Sequence, residues 1–216
     1  MLTAAILFTF ISLTTCILEI DKDVYEGMID RDMNSSFIKV PPRQLCKVFY
    51  RDIHETGAGN IFMPNLTLEK PTSIKWNASE SSLYTLTLSY LLPINEKWPS
   101  FIEKQLWMIT NIPGGNWQKG EVKLDYIPPR APTIDEYYLS VLLIYKQPEK
   151  IDVKFDASLD NNATRYSVRI KEFSEQYKLG DPVAGTFYYV YLPLDYDIFV
   201  QEQIRNTRKP GKPYWT

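Results

Sequence analysis

The run Leu83-Tyr84-Thr85-Leu86-Thr87-Leu88-Ser89-Tyr90 alternates apolar and polar side chains. Successive side chains of a strand point to opposite faces, so this pattern predicts a strand with one buried face and one polar or partly covered face. Residues 72–76 (Thr-Ser-Ile-Lys-Trp) alternate more weakly and predict a shorter strand. Residues 106–112 and 141–145 are continuous apolar runs, the signature of central strands. Residues 186–191 form a further, aromatic strand, and Leu45-Cys46-Lys47-Val48-Phe49-Tyr50 is apolar and strand-like. Turn chemistry separates these runs. Ile112-Pro113-Gly114-Gly115-Asn116 is a turn, Pro128-Pro129-Arg130-Ala131-Pro132 a stiff extended loop, and Asp160-Asn161-Asn162 another loop. Helical spacing is expected in three places. Residues 20–32 put Val24, Met28 and Ile29 on one side, ahead of Pro41-Pro42. Residues 167–179 align Val168, Ile170, Phe173 and Tyr177 and are closed by Gly180-Asp181-Pro182. Residues 195–206 align Ile198, Phe199 and Ile204 behind Asp195 as N-cap.

Composition narrows the reading. The 216 residues suit one domain able to bury a core, and 44% hydrophobic content argues against disorder. Fifteen Tyr favour strands. A net charge of −2 gives no reason to expect DNA or an anionic membrane as partner.

The apolar leader ahead of Glu19 is short against the ~20 residues of a bilayer span and matches a signal peptide cleaved after Cys16. An uncleaved anchor is the runner-up. A mitochondrial presequence fits less well, because no Arg precedes Arg31. With the leader removed, Cys46 is alone and is expected to be buried, and no stable membrane insertion is expected. The sequons at Asn34, Asn65, Asn77 and Asn162 support a secreted or extracellular location, the alternative being mitochondrial. The expected organisation is a signal peptide over 1–16, an acidic segment over 17–39, a domain over 40–204 and a basic tail over 205–216.

Three segments resemble the phosphatidylethanolamine-binding proteins. Lys70-Pro71-Thr72-Ser73-Ile74-Lys75-Trp76 followed by Leu83-Tyr84-Thr85-Leu86-Thr87-Leu88 looks like the entry to that family's ligand pocket. Thr110-Asn111-Ile112-Pro113-Gly114-Gly115 resembles the strand end and turn that follow, and Asp181-Pro182-Val183-Ala184-Gly185-Thr186 the penultimate segment. The resemblance covers residues 40–204 and implies a mostly β fold with peripheral helices: a large antiparallel sheet packed on a smaller one, with helices at the edge and C-terminus. One branch of the family, a domain of a mitochondrial large-subunit ribosomal protein, is similar at Tyr126-Ile127-Pro128-Pro129 and Lys146-Gln147 as well. That branch has a long charged region before the domain, where this chain has residues 1–39, and ribosomal proteins are usually basic. An exported relative of that branch, or an independently degenerate member, is expected.

By the same resemblance the pocket residues are replaced. The positions of the family's acidic pair hold Tyr90 and Leu92, one histidine position holds Leu106 and another Tyr138. The family's anion-contacting tyrosine of the C-terminal helix falls near Val200 or Gln201, while Tyr126 and Pro132 of the surrounding loop survive. Each lost charged hydrogen bond costs ~1.5–3 kcal/mol, so phosphate-headgroup binding is not expected. The cleft is either filled by the bulkier Leu and Tyr side chains, the favoured expectation, or apolar enough for a hydrophobic small molecule.

Chemistry is sparse elsewhere. The sole histidine, His54, reads as a surface turn residue. Cys/His zinc ligands are too few, and the spacing of Asp21, Asp23 and Glu26 is not that of a calcium loop. No cofactor is expected, and no enzyme. The first functional expectation is a secreted binding or modulator protein acting on an unknown protein partner through its surface. A carrier of a hydrophobic small molecule or lipid in the altered cleft comes second, and a mitochondrial ribosomal or other structural subunit third.

Overall fold

The computed structural model describes residues 21–93, 101–131 and 133–194. The leader, the basic tail, the segment 195–206, Pro132 and Gln201 lie outside the described residues. The elements run α1 (Lys22–Ile29), α2 (Met33–Ser36), β1 (Lys47–Tyr50), β2 (His54–Glu55), β3 (Asn60–Phe62), β4 (Ser73–Lys75), β5 (Leu83–Pro93), β6 (Phe101–Pro113), β7 (Glu121–Leu124), β8 (Tyr137–Gln147), α3 (Asn161–Ser167), α4 (Ile170–Gln176) and β9 (Ala184–Tyr191). The large sheet has the order β3-β9-β8-β5-β6-β7 and the small one β2-β1-β4. The large sheet is antiparallel apart from its edge strand β3, which runs parallel to β9.

The alternation in β5 sorts its residues between two layers. Tyr84, Leu86, Leu88 and Tyr90 pack with Cys46, Val48, Tyr50 and Ile74 of the small-sheet side. The opposite face is not solvated, as the pattern predicted it would be at least in part. Thr85, Thr87 and Ser89 are all fully buried, because helices and the 151–153 segment cover that side with Val24, Met28, Phe37, Ile151, Val153, Ile170 and Phe173. Two of these hydroxyls are hydrogen-bonded, Thr85 donating to Gln147 Oε1 (2.8 Å) and Ser89 to Gln105 Oε1 (3.1 Å), whereas Thr87 Oγ1 is buried without a partner among the described residues. The structure is therefore three layers deep: small sheet, large sheet, helices.

The two sheets are joined at Gly185. Its N–H donates to the Gln44 carbonyl (3.0 Å) and its carbonyl accepts from Cys46 N–H (2.8 Å), a parallel bridge just before β1. A Cβ here would lie 2.8 Å from Pro42 Cγ and 3.0 Å from the Leu142 carbonyl, so only glycine permits the approach. Cys46 is buried as expected, and burial pushes its thiol pKa well up.

Several local expectations are corrected. Val24 and Met28 are buried, but Ile29 is 39% exposed at the end of α1, after which the chain turns through Asp32 in the left-handed region (φ 54°) into α2. Asp160-Asn161-Asn162 is not a loop but the start of α3, with Asp160 Oδ1 accepting from Ala163 N–H at 2.7 Å. The helix anticipated over 167–179 is confined to α4, because Val168 and Arg169 are extended. His54 sits half-buried in the two-residue strand β2 opposite Tyr50, not in a turn. No helix among the described residues is long and apolar enough to cross a membrane.

Candidate functional site

Tyr90 and Leu92 on β5 and Lys104 and Leu106 on β6 lie at one end of the large sheet, where Tyr90 pairs with Lys104 across the strands. The segment after β7 closes over them: Ile127 N–H donates to the Leu106 carbonyl at 2.8 Å. The third wall comes from α3, which is docked by Arg165. This arginine is 1% exposed and donates to the carbonyls of Gln105 (3.1 Å), Leu106 (3.1 Å) and Asp125 (2.8 Å) and to Asn161 Oδ1 (3.1 Å). A buried guanidinium is tolerated only when its donors are met, and here carbonyls meet them. The next residue, Tyr166, is thereby placed with its ring 4.7 Å from Lys104 Nζ.

These elements enclose a cleft of about 180 Å³ lined by Tyr90, Leu92, Lys104, Leu106, Ile127, Pro128, Arg130 and Tyr166. The bulky side chains fill the site only in part. Leu106 is 3% exposed and forms an apolar wall where a donor was expected to be lost. The Tyr90 hydroxyl donates to the Arg130 carbonyl, and its ring stacks on Tyr138 at 5.7 Å. Tyr138 stands behind Tyr90 and does not line the cleft; its hydroxyl donates to Glu136 Oε2 at 2.5 Å and also meets Thr133. Burial and the Glu136 carboxylate push the Tyr138 pKa up to about 12. Tyr126 is turned into the core: its hydroxyl donates to the Thr67 carbonyl (2.6 Å) and its ring packs edge-on against Trp107.

The structure thus brings together Tyr90, Leu92 and Leu106 of the sequence-predicted residues and sets Tyr138 and Tyr126 aside. Sequence reasoning missed Lys104, Ile127, Pro128, Arg130 and Tyr166. Lys104 was within reach of it, since residues two apart on a strand share a face and Leu106 was already singled out. Tyr166 carried no such signal, because its place depends on the burial of Arg165. Of the sequon asparagines, Asn34, Asn77 and Asn162 are exposed, whereas Asn65 is half-buried and its Oδ1 is buried without a partner. A second, smaller groove of about 120 Å³ lies between α4 and residues 153–155.

No protein-family model matches the chain. A Drosophila melanogaster protein named for odorant binding (odorant-binding protein A5) is 25% identical over 169 residues, covering 78% of this chain and 80% of that protein. Among solved structures, a carboxypeptidase Y inhibitor, seen in complex with its cognate proteinase, superposes with a TM-score of 0.64 at 16% identity, covering 82% of this chain and 98% of that one. A phosphatidylethanolamine-binding protein from Plasmodium vivax gives a TM-score of 0.56 at 9% identity, covering 78% and 97%. At these identities the likeness speaks for architecture, and the two stacked sheets with their covering helices agree with it: this chain has the fold of the phosphatidylethanolamine-binding proteins.

Proposed function

We propose that this chain is a secreted, non-enzymatic binding protein that holds a small molecule with an apolar body in the cleft between β5, β6 and α3, and not a phosphate headgroup. The observation that carries this reading is the cleft itself. It stays open at about 180 Å³, with Leu92, Leu106, Ile127 and Pro128 as apolar surface. That volume is well below the ~300–1,000 Å³ of drug-sized sites, so the ligand is small. The odorant-binding name of the Drosophila relative supports a carrier role. Methyl-resolved NMR titration tests it. With 2-phenylethanol as probe, the methyl signals of Leu92, Leu106 and Ile127 should shift saturably, and Leu92→Trp should abolish the response. Saturable binding of phosphoethanolamine with no response to 2-phenylethanol overturns the reading.

A second reading, a modulator of a protein partner, rests on the outer aromatic cluster. Tyr137 is 53% exposed and stacks on Tyr191 at 4.4 Å, beside Tyr189 and Arg31. Tyrosine and arginine are over-represented among the residues that dominate interface energy. The carboxypeptidase Y inhibitor shows that this fold can present a surface to another protein.

A further inference from the structure

Resting on the reading of the cleft as a small-molecule site, we propose that it selects an organic anion, a small monocarboxylate with an aromatic or branched apolar body, and that Lys104 reads the charge. Among the described residues, the charged ones lining the cleft are Lys104 and Arg130, with no carboxylate among them. Neither has an ion-pair partner among the described residues. Lys104 is half-buried, and the Tyr166 ring 4.7 Å from its Nζ restrains it at the cleft. A cation–π contact leaves the ammonium donors unspent, so the group is held in place and still able to donate. Tyr166 is itself fixed through Arg165.

The hydroxyls are not available in the same way. Of the two tyrosines that line the cleft, Tyr90 commits its hydroxyl to the Arg130 carbonyl, and Tyr166 offers a single neutral hydroxyl. What remains is an apolar surface with the cationic groups and the Tyr166 hydroxyl beside it. A phosphate dianion presents several acceptors and would lose hydration against Leu92 and Leu106 without enough fixed donors to replace it. A carboxylate requires fewer donors, and its apolar body gains from the same surface. A protonated amine of equal shape meets like charge.

The test is a matched series at neutral pH and low salt: phenylacetate, 2-phenylethanol and 2-phenylethylamine, each titrated into the wild-type protein and Lys104→Met while the methyl signals of Leu92, Leu106 and Ile127 are followed. Phenylacetate should bind about tenfold more tightly than 2-phenylethanol, as one partly exposed charged hydrogen bond implies, with 2-phenylethylamine weakest. In Lys104→Met the preference for acid over alcohol should collapse, and dispersed methyl signals of the free variant that match the wild type away from the cleft show that it is folded. Equal affinity for acid and alcohol in the wild type overturns the charge assignment and leaves the apolar site standing. A preference that survives in Lys104→Met overturns the role of Lys104. Absence of any response to all three overturns the inference together with the reading beneath it.

Discussion

Glu103 on β6 accepts a hydrogen bond from the backbone N–H of Ile170 at 2.9 Å and so caps the first turn of α4 from a different element. The carboxyl is 2% exposed, and burial raises its pKa to about 8 despite the opposing bonds from Ile170 and Gln105. Between an ordinary carboxyl pKa near 4.5 and this value, the folded chain holds a proton that the unfolded chain releases. Stability therefore falls as pH rises through that window, by an amount on the order of a few kcal/mol. Glu103→Gln keeps the acceptor oxygen and removes the ionisation. Denaturant titrations from pH 5 to 9 should show the wild type losing stability and Glu103→Gln nearly flat, with the variant the more stable at high pH. Parallel pH profiles would show that Glu103 does not titrate in this range.

Gly185→Val should destabilise the domain by roughly 2 kcal/mol or more, because its Cβ would press on Pro42 and the Leu142 carbonyl. Lys150→Ala, at an exposed position paired with the half-buried surface residue Glu121, should melt with the wild type. Equal midpoints for the two variants would mean that the contact at Gly185 is not tight in solution.

Arg165→Met should cost roughly 2–4 kcal/mol, since it removes the Arg165 donors from the carbonyls of Gln105 and Asp125 and leaves the Leu106 carbonyl with the Ile127 N–H. It should also free Tyr166 and weaken the 2-phenylethanol response at temperatures where the variant is still folded. Wild-type stability and binding together would show that α3 docks without this side chain.

Expression in eukaryotic cells should deliver the protein to the medium, beginning near Ile17 and losing mass on glycosidase treatment. Asn162, exposed at the start of α3, should carry glycan, and Asn65, half-buried, should not. Intact mass and peptide mapping check both points. An unglycosylated protein recovered with mitochondria would favour a ribosomal role instead.

Much of the fold was legible because side-chain period reports strand faces directly. Leu83 to Tyr90 announced β5, and the apolar runs announced the centres of β6 and β8. The period could not say what covers the Thr85-Thr87-Ser89 face, since that depends on where α1, α2 and α4 return in space. The end of one helix and start of another at Val168-Arg169 were hidden for the same reason: the cap of α4 is Glu103, far away in the chain. At the site, replaced residues could be placed by resemblance, but whether Leu106 and Tyr90 fill the cleft was a question of volume. Its answer rests on Tyr166 and Ile127, held by hydrogen bonds that no local pattern records.

The seam at Gly185 has a consequence for the cleft. Gly185 stands opposite Leu143, which is level with Thr87, while the cleft begins farther along β5 at Tyr90 and Leu92. The sheets are tied together by backbone at one level, and side chains change the ligand chemistry at another. Substitutions around Leu92, Lys104 and Leu106 thus act on a part of the sandwich that does not carry the stitch. A fold built this way can exchange one binding chemistry for another while its assembly stays the same.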